Sequence, residues 1–316
     1  MPARAGGRCS RSASPSSAGS DPDDRGGNVM AKRRVVLTGA AGYVAQRMFK
    51  ALDERWDVVP IDIKDKTRDG KPVPRLVLSD LTQSDRNAYR EHFRGADAVI
   101  HCGFVRAPGM TADTWQDNSD AKFQAEHANV ALAYNVYRVA LEEGVRRVVV
   151  CSSNHAADYY ERLVWDGRVD MVTPEMPPRS DNWYGWSKAA YELLGFVFAT
   201  GKVDGRRLEV VQWRIGGPRD DDIDHVKPGD IPTMHRALGA YLSARDQTQQ
   251  AVRMVETEDI TDDNGVPFLI VYGISGNTHR FWSLASARRK IGYRPEDDSQ
   301  VNFADKIAAI ARAAKR

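Results

Sequence analysis

The chain has 316 residues, 42% of them apolar and 28% charged, an ordinary globular composition. Its 45 Lys and Arg against 43 Asp and Glu leave a net charge of +2, too small an excess to point to a nucleic-acid or membrane-surface partner. No apolar run reaches the roughly 20 residues of a bilayer span, and Cys9, Cys102 and Cys151 form no CxxC pair, so neither a disulfide framework nor a metal site is expected and a reduced, cytoplasmic setting fits.

Residues 1–30 are almost entirely Gly, Ser, Pro, Ala, Arg and Asp, which predicts a disordered tail without the apolar centre of a secretory signal. From Lys32 on, short apolar runs alternate with amphipathic stretches, and residues 31–316 read as a single α/β unit, a doubly wound parallel sheet of Rossmann type. Strands are expected at Arg34–Thr38, Val58–Ile63, Arg75–Leu78, Ala98–His101 and Arg147–Cys151. Helices fall between them at Tyr43–Arg55, Ser84–Phe93 and Trp115–Glu143. In the last, Val130, Tyr134, Tyr137 and Leu141 predict one buried stripe, and Gly144 supplies the stop. A helix Tyr184–Ala199 and a strand Leu208–Trp213 continue the alternation. Residues 216–233 read as an irregular loop, followed by a helix Met234–Ala244, a strand Phe268–Gly273 and a terminal helix from Phe303. The core is thus expected over about 31–215, with a small C-terminal region, 216–316, shaping the mouth of the sheet for substrate.

The run Val35–Ala45 is a strand, a glycine turn and a helix start. Gly39 permits the tight turn, Gly42 lets backbone approach a pyrophosphate, and Ala45 lets the helix pack closely on the strand. The amides from Ala41 through Tyr43 and Val44 and the positive helix end would meet the phosphate charge. Asp62 ends the next strand about 20 residues later, where a carboxylate accepts from both ribose hydroxyls and repels a 2′-phosphate. The cofactor expected is therefore NAD. Asp80 and Leu81 are placed for the adenine edge, although an N-cap accounts for Asp80 equally well. Cys102 and Gly103, which end the fourth strand, lie beside the pyrophosphate, and a bulky side chain at 103 would crowd it.

Tyr184 and Lys188 put a phenol and an amine four residues apart on one face of a helix start. A tyrosine with a pKa near ~10 is a poor base until a neighbouring cation favours the phenolate. Ser153, at the end of the fifth strand, can hold a substrate oxygen against Tyr184. Together they make a proton relay matched to hydride loss from an adjacent carbon. Asn129 is expected to support the Lys188 ammonium through water, or else to make an interhelix hydrogen bond.

With these residues placed, the chain resembles the extended short-chain dehydrogenase/reductase superfamily, which includes the NAD-dependent epimerase/dehydratase family, from Lys32 to about Ser299. TGAAGYVA, Asp80-Leu81 and YGWSK carry that likeness. Ser152-Ser153-Asn154-His155-Ala156, Arg214-Ile215-Gly216 and Tyr272–Asn277 are similar to the uronate dehydrogenases and related NAD-dependent aldose and glucose-6-phosphate dehydrogenases. The resemblance implies oxidation of a cyclic hexuronate or aldose at the anomeric carbon to a lactone, with Ser153, Tyr184 and Lys188 catalytic. It also implies sugar contacts from Asn154 and His155 and a carboxylate clamp at Arg236. Pairing through the two long helices into a homodimer, or a higher homo-oligomer, is implied as well. The chain departs from these enzymes at Gly217, where they carry a serine, and at Arg106, where they carry a small polar residue. Its loop 217–235 is longer and acidic, with Asp220, Asp221, Asp222 and Asp224, which over the site would disfavour anionic substrates. The alternative within the superfamily is a nucleotide-sugar epimerase or dehydratase with tightly held NAD, for which the hundred or so residues after Arg214 are few.

Overall fold

The computed structural model describes residues 32–107 and 119–314. The predicted tail, residues 1–30, and the first residues of the helix expected from Trp115 lie outside the described residues. Seven strands form one sheet: β1 (Arg34–Thr38), β2 (Asp57–Asp62), β3 (Val77–Leu78), β4 (Ala98–His101), β5 (Arg147–Ser153), β6 (Glu209–Ile215) and β7 (Phe268–Gly273). Their order is β3-β2-β1-β4-β5-β6-β7, and every neighbouring pair is parallel. The strands are Val-rich because both faces are covered. Val35, Leu37, Val149, Val211 and Trp213 pack into the core on one face. Val36, Val99, Val148, Val150 and Val210 pack on the other. The order reverses between β1 and β4, which opens a crevice at their carboxyl ends, the place where doubly wound sheets bind ligands.

Nine helices lie among the described residues: α1 (Tyr43–Arg55), α2 (Asp120–Glu142), α3 (Tyr159–Trp165), α4 (Trp183–Ala199), α5 (Ile231–Ala240), α6 (Ala244–Glu256), α7 (Ala285–Ile291), α8 (Ser299–Asn302) and α9 (Ala304–Ala313). None is long and apolar enough to cross a membrane. In α2 the buried stripe runs through Leu132, Val136, Tyr137 and Val139. Of the expected stripe, Tyr137 and Leu141 are buried and Val130 is half-buried, while Tyr134 is 43% exposed. The stretch Ser84–Phe93 is not one helix but two 3-10 turns, Arg86–Ala88 and Arg90–Phe93. Tyr89 between them leaves helical geometry at φ −142°, and both Tyr89 and Phe93 reach the core. Of the expected strand Arg75–Leu78 only Val77–Leu78 pairs, because Arg75 takes a positive φ of 57°.

The helix expected at Met234–Ala244 is two elements. Asp230 caps α5, Pro232 sits in its first turn, and Ser243 caps α6 with its side chain accepting from the Asp246 amide. The inward face of α6 is polar in its first half, with Asp246, Gln247 and Gln250 buried, and apolar only from Ala251 through Met254 and Val255, so the apolar stripe is short. The region after residue 216 is not confined to the mouth of the sheet. Gln247 Nε2 donates to the Val44 carbonyl at 2.7 Å and Arg47 Nε donates to Gln247 Oε1 at 3.1 Å, so α6 is laced to the helix that follows the glycine turn.

Candidate active site

The glycine turn is shaped by close approach as well as by dihedral preference. Gly39 has φ +66°, and a Cβ there would lie 2.6 Å from the backbone of Cys102 and Gly103. The end of β4 therefore presses directly on the turn, and only glycine fits. Helix α1 starts at Gly42 without a side-chain cap and without an acidic residue in its first turn. Its first amides, those of Tyr43 and Val44 among them, have no carbonyl four residues back, and its positive end is uncompensated, which fits a pyrophosphate. The Ala41 amide is directed elsewhere and donates to Asp62 Oδ2 at 2.9 Å, while Lys64 N donates to Asp62 Oδ1 at 3.0 Å. Asp62 thus ties the turn to the end of β2 and keeps spare acceptor lone pairs for sugar hydroxyls. The residues present fit NAD.

The neighbours of the turn have mixed placements. Asp80 Oδ1 accepts from both the amide and the hydroxyl of Thr82, at 2.9 and 2.7 Å, so this carboxylate holds its own turn. Leu81 is buried in the core and its carbonyl accepts from Asn135. Asn129 sends its amide to the backbone of Val105, accepting from N at 2.7 Å and donating to O at 2.8 Å. It therefore clamps the chain just after Gly103, and its remaining contacts go to Ala125 O and Glu126 rather than to Lys188.

Ser153, Tyr184 and Lys188 converge. Ser153 is the last residue of β5, and its Oγ donates to Asn154 Oδ1 at 3.3 Å. Asn182 caps α4 by accepting from the Gly185 amide, which fixes the first turn carrying Tyr184. Gly185 packs so tightly on the His155 carbonyl and Ser180 that no side chain fits there. Burial pushes the Tyr184 phenol up to about 12, and a hydrogen bond with Ser153 draws it back. Burial also pushes the Lys188 ammonium down to about 8, against the opposing pull of the Glu126 charge. Lys188 Nζ donates to the Cys151 carbonyl at 3.4 Å and lies 5.5 Å from the centre of the Tyr184 ring. Cys151 Sγ in turn lies 3.2 Å from Cys102 Sγ, whose backbone faces Gly39. An unbroken series of contacts therefore joins the glycine turn to the phenol.

Behind this cluster lies a buried ion pair that sequence reasoning missed. Lys122 Nζ meets Glu126 Oε1 at 2.8 Å, and Ser187 Oγ donates to Glu126 Oε2 at 2.6 Å. Lys122 Nζ lies 5.6 Å from the Tyr184 ring centre. The only sequence signal was a Lys and a Glu four apart on a helix, which usually marks a solvated face.

The substrate side begins at Asn154 and His155. Asn154 is buried, and its Nδ2 has no hydrogen-bond partner among the described residues, which makes it a donor suited to a sugar hydroxyl. The His155 ring stands edge-on to Tyr184 with centroids 5.6 Å apart. A carboxylate only accepts and a guanidinium only donates, so His155 Nδ1 donates to Asp158 Oδ2 at 3.1 Å and Nε2 accepts from Arg236 Nη2 at 3.5 Å. Burial holds this imidazole below the usual histidine pKa, and it is neutral. Arg236 is not an open clamp: Nε and Nη2 donate to the two oxygens of Glu161 at 2.7 and 3.1 Å. The acidic loop reaches back to α1, where Arg47 Nη1 donates to Asp220 Oδ2 at 3.1 Å. A Cβ at Gly217 would lie 2.9 Å from Asp222 Oδ2, the movable end of a side chain, so local packing does not demand glycine there. Arg106 is exposed.

Residues 35–204 match the family described as NAD dependent epimerase/dehydratase. The chain is 32% identical over 274 residues to L-arabinose 1-dehydrogenase (NAD(P)(+)) of Haloferax volcanii, covering 84% of this chain and 97% of that protein. It is 30% identical over 290 residues to uronate dehydrogenase of Pseudomonas putida, covering 89% and 90%. Among solved structures it is similar to uronate dehydrogenase from Agrobacterium tumefaciens, with 25% identity, a TM-score of 0.65 and coverage of 88% and 90%. The chain belongs to the NAD-dependent epimerase/dehydratase family, and its cofactor is NAD.

Proposed function

We propose that this oxidoreductase oxidises a cyclic sugar, a hexuronate or an aldose, at its anomeric carbon to a lactone, with Ser153, Tyr184 and Lys188 as the reacting groups. The observation that carries the reading is the convergence of those three side chains at the end of β5, joined by contact to the glycine turn. NAD, when bound, supplies the hydride acceptor and a positive charge. Ser153 would hold the anomeric oxygen and Tyr184, as phenolate, would take its proton. Lys188, close to the phenol, favours that phenolate. Asn154 and His155 would orient the remaining hydroxyls. The dehydrogenases of arabinose and uronate to which the chain is similar support a monosaccharide over a nucleotide sugar. A homodimer through α2 and α4 is part of the proposal, supported by the exposed Leu193, Phe196 and Val197 on α4 and Tyr134 on α2.

The test is NADH formation by purified protein with NAD and a panel of L-arabinose, D-galactose, D-glucose, glucose 6-phosphate, galacturonate and glucuronate. Turnover with any of these that disappears in Tyr184→Phe supports the reading. Silence across the panel, with NAD remaining bound through purification, overturns it in favour of the nucleotide-sugar epimerase.

A further inference from the structure

The proposed reaction specifies an anomeric hydroxyl and leaves open what else the sugar carries. Arg236 on α5 and Glu161 on α3 bear on that question. Their side chains meet in a paired fork, Nε to Oε2 at 2.7 Å and Nη2 to Oε1 at 3.1 Å, with Glu161 11% exposed. Arg236 Nη2 also reaches His155, whose ring touches that of Tyr184, so the cation stands one side chain away from the proposed proton acceptor.

A carboxylate or phosphate entering here must either take the place of Glu161 on the Nε/Nη2 edge or accept from the Nη1 hydrogens directly beside the Glu161 carboxylate, on a guanidinium whose charge is already met. Either way two negative groups share one cation, with the Glu161 carboxylate in a poorly hydrated position next to the incoming anion. A hydroxyl makes no such demand. It can accept from a guanidinium donor not used by Glu161 or His155, and donate to a spare lone pair of Glu161, with the ion pair intact. The surroundings carry the same sign: Asp158 lies against His155, and Arg219, whose charge also reaches Tyr184, is paired with Asp222 at 3.5 Å.

We infer that Glu161 is a specificity-determining residue, which occupies Arg236 and so fits the site to an uncharged aldose and against sugar acids and sugar phosphates. This rests on the dehydrogenase reading and narrows its substrate class. The sequence did not suggest it, because Glu161 looks like an ordinary first-turn helix acid.

The experiment measures kcat/KM for L-arabinose, D-galactose, D-glucose, glucose 6-phosphate, galacturonate and glucuronate on the wild type, Glu161→Gln and Glu161→Asp. The wild type is expected to favour a neutral sugar by about tenfold or more over its uronate or phosphate counterpart. Glu161→Gln is expected to shrink that ratio by about tenfold, mainly through a lower KM for the acid, while Glu161→Asp keeps it. A wild type that favours the uronate overturns the inference, as does a ratio unmoved by Glu161→Gln. Glu161→Ala carries the same expectation if the Gln variant does not fold. Should no sugar be turned over, the dehydrogenase reading itself has failed, and calorimetric binding of glucuronate to the NAD-loaded proteins still decides. Tighter binding by Glu161→Gln than by wild type supports a charge filter, and equal or undetectable binding by both overturns it.

Discussion

The carboxylate of Glu192 on α4 and the guanidinium of Arg214 on β6 meet by two hydrogen bonds, of 2.8 and 2.7 Å, with side-chain exposures of 2% and 0%. The same carboxylate accepts from Ser152 Oγ at 2.9 Å, and Arg214 also donates to the Tyr272 hydroxyl at 3.0 Å. The pair therefore ties α4 to β5, β6 and β7 directly behind Ser153 and Lys188. Removing one partner leaves a buried charge uncompensated. Glu192→Gln is expected to lower the free energy of unfolding by about 3–5 kcal/mol, read from urea denaturation. A loss below about 1 kcal/mol would mean that the neighbours solvate the guanidinium unaided.

Tyr184 carries a second prediction, on rate. Tyr184→Phe should lower kcat by about 10²- to 10⁴-fold, the range of a lost general base, with NAD affinity, followed by quenching of tryptophan fluorescence, nearly unchanged. The phenol must lose its proton before it can accept another, and burial holds it up to about 12. The rate of sugar oxidation by the wild type should therefore rise from about pH 6 to about pH 9, at most tenfold per unit. A flat profile would remove Tyr184 from the proton path.

His101 gives a prediction on stability. Its Nδ1 shares a 2.6 Å hydrogen bond with Thr38 Oγ1, its Nε2 has no partner among the described residues, and burial lowers its pKa from 6.5 to about 3. The unfolded chain takes up the proton first as pH falls, so stability held at neutral pH is lost below the unfolded value. Between about pH 7 and about pH 5 the loss should be about 2 kcal/mol from this group. His101→Gln should flatten that slope in thermal unfolding at the two pH values, and an unchanged slope would assign it to other groups.

The association surface is testable with one substitution. Leu193 is 64% exposed on α4, with Phe196 and Val197 on the following turn 43% and 48% exposed. Light scattering is expected to report a dimer for the wild type and a monomer for Leu193→Glu, with far-ultraviolet dichroism unchanged. A monomeric wild type would remove the dimer from the proposal.

The parts of the fold legible in the sequence were those with strong local physics. Valine runs such as Arg147–Cys151 can only be strands covered on both sides, and Gly39, Gly42 and Tyr184/Lys188 carry their spacing with them. Helix α6 was missed because the first half of its buried face is built from amides and an acid, whose partners come from distant segments, and only Ala251, Met254 and Val255 are apolar. Arg236 was legible as a residue that belongs at the site but not as a paired one, since its partner lies 75 positions earlier on a helix of seven residues. Glu126 and Glu161 escaped for one reason: a charged residue on a helix gives no sign, from its spacing, that it faces inward.

The lacing of α6 to α1 also bears on how the protein is made. Arg47 and Gln247 bond across 200 positions, and Arg47 further donates to the Leu242 carbonyl at 3.0 Å. As the chain leaves the ribosome, the glycine turn and α1 emerge early, yet the flank of α1 stays bare until residues near 250 have followed. A nascent chain halted after β6 would display an incomplete nucleotide cradle with unpaired polar groups, a target for chaperones and proteases rather than for NAD. Competence to bind the dinucleotide, encoded around residues 39–62, is therefore acquired only after residues near 250 have been made.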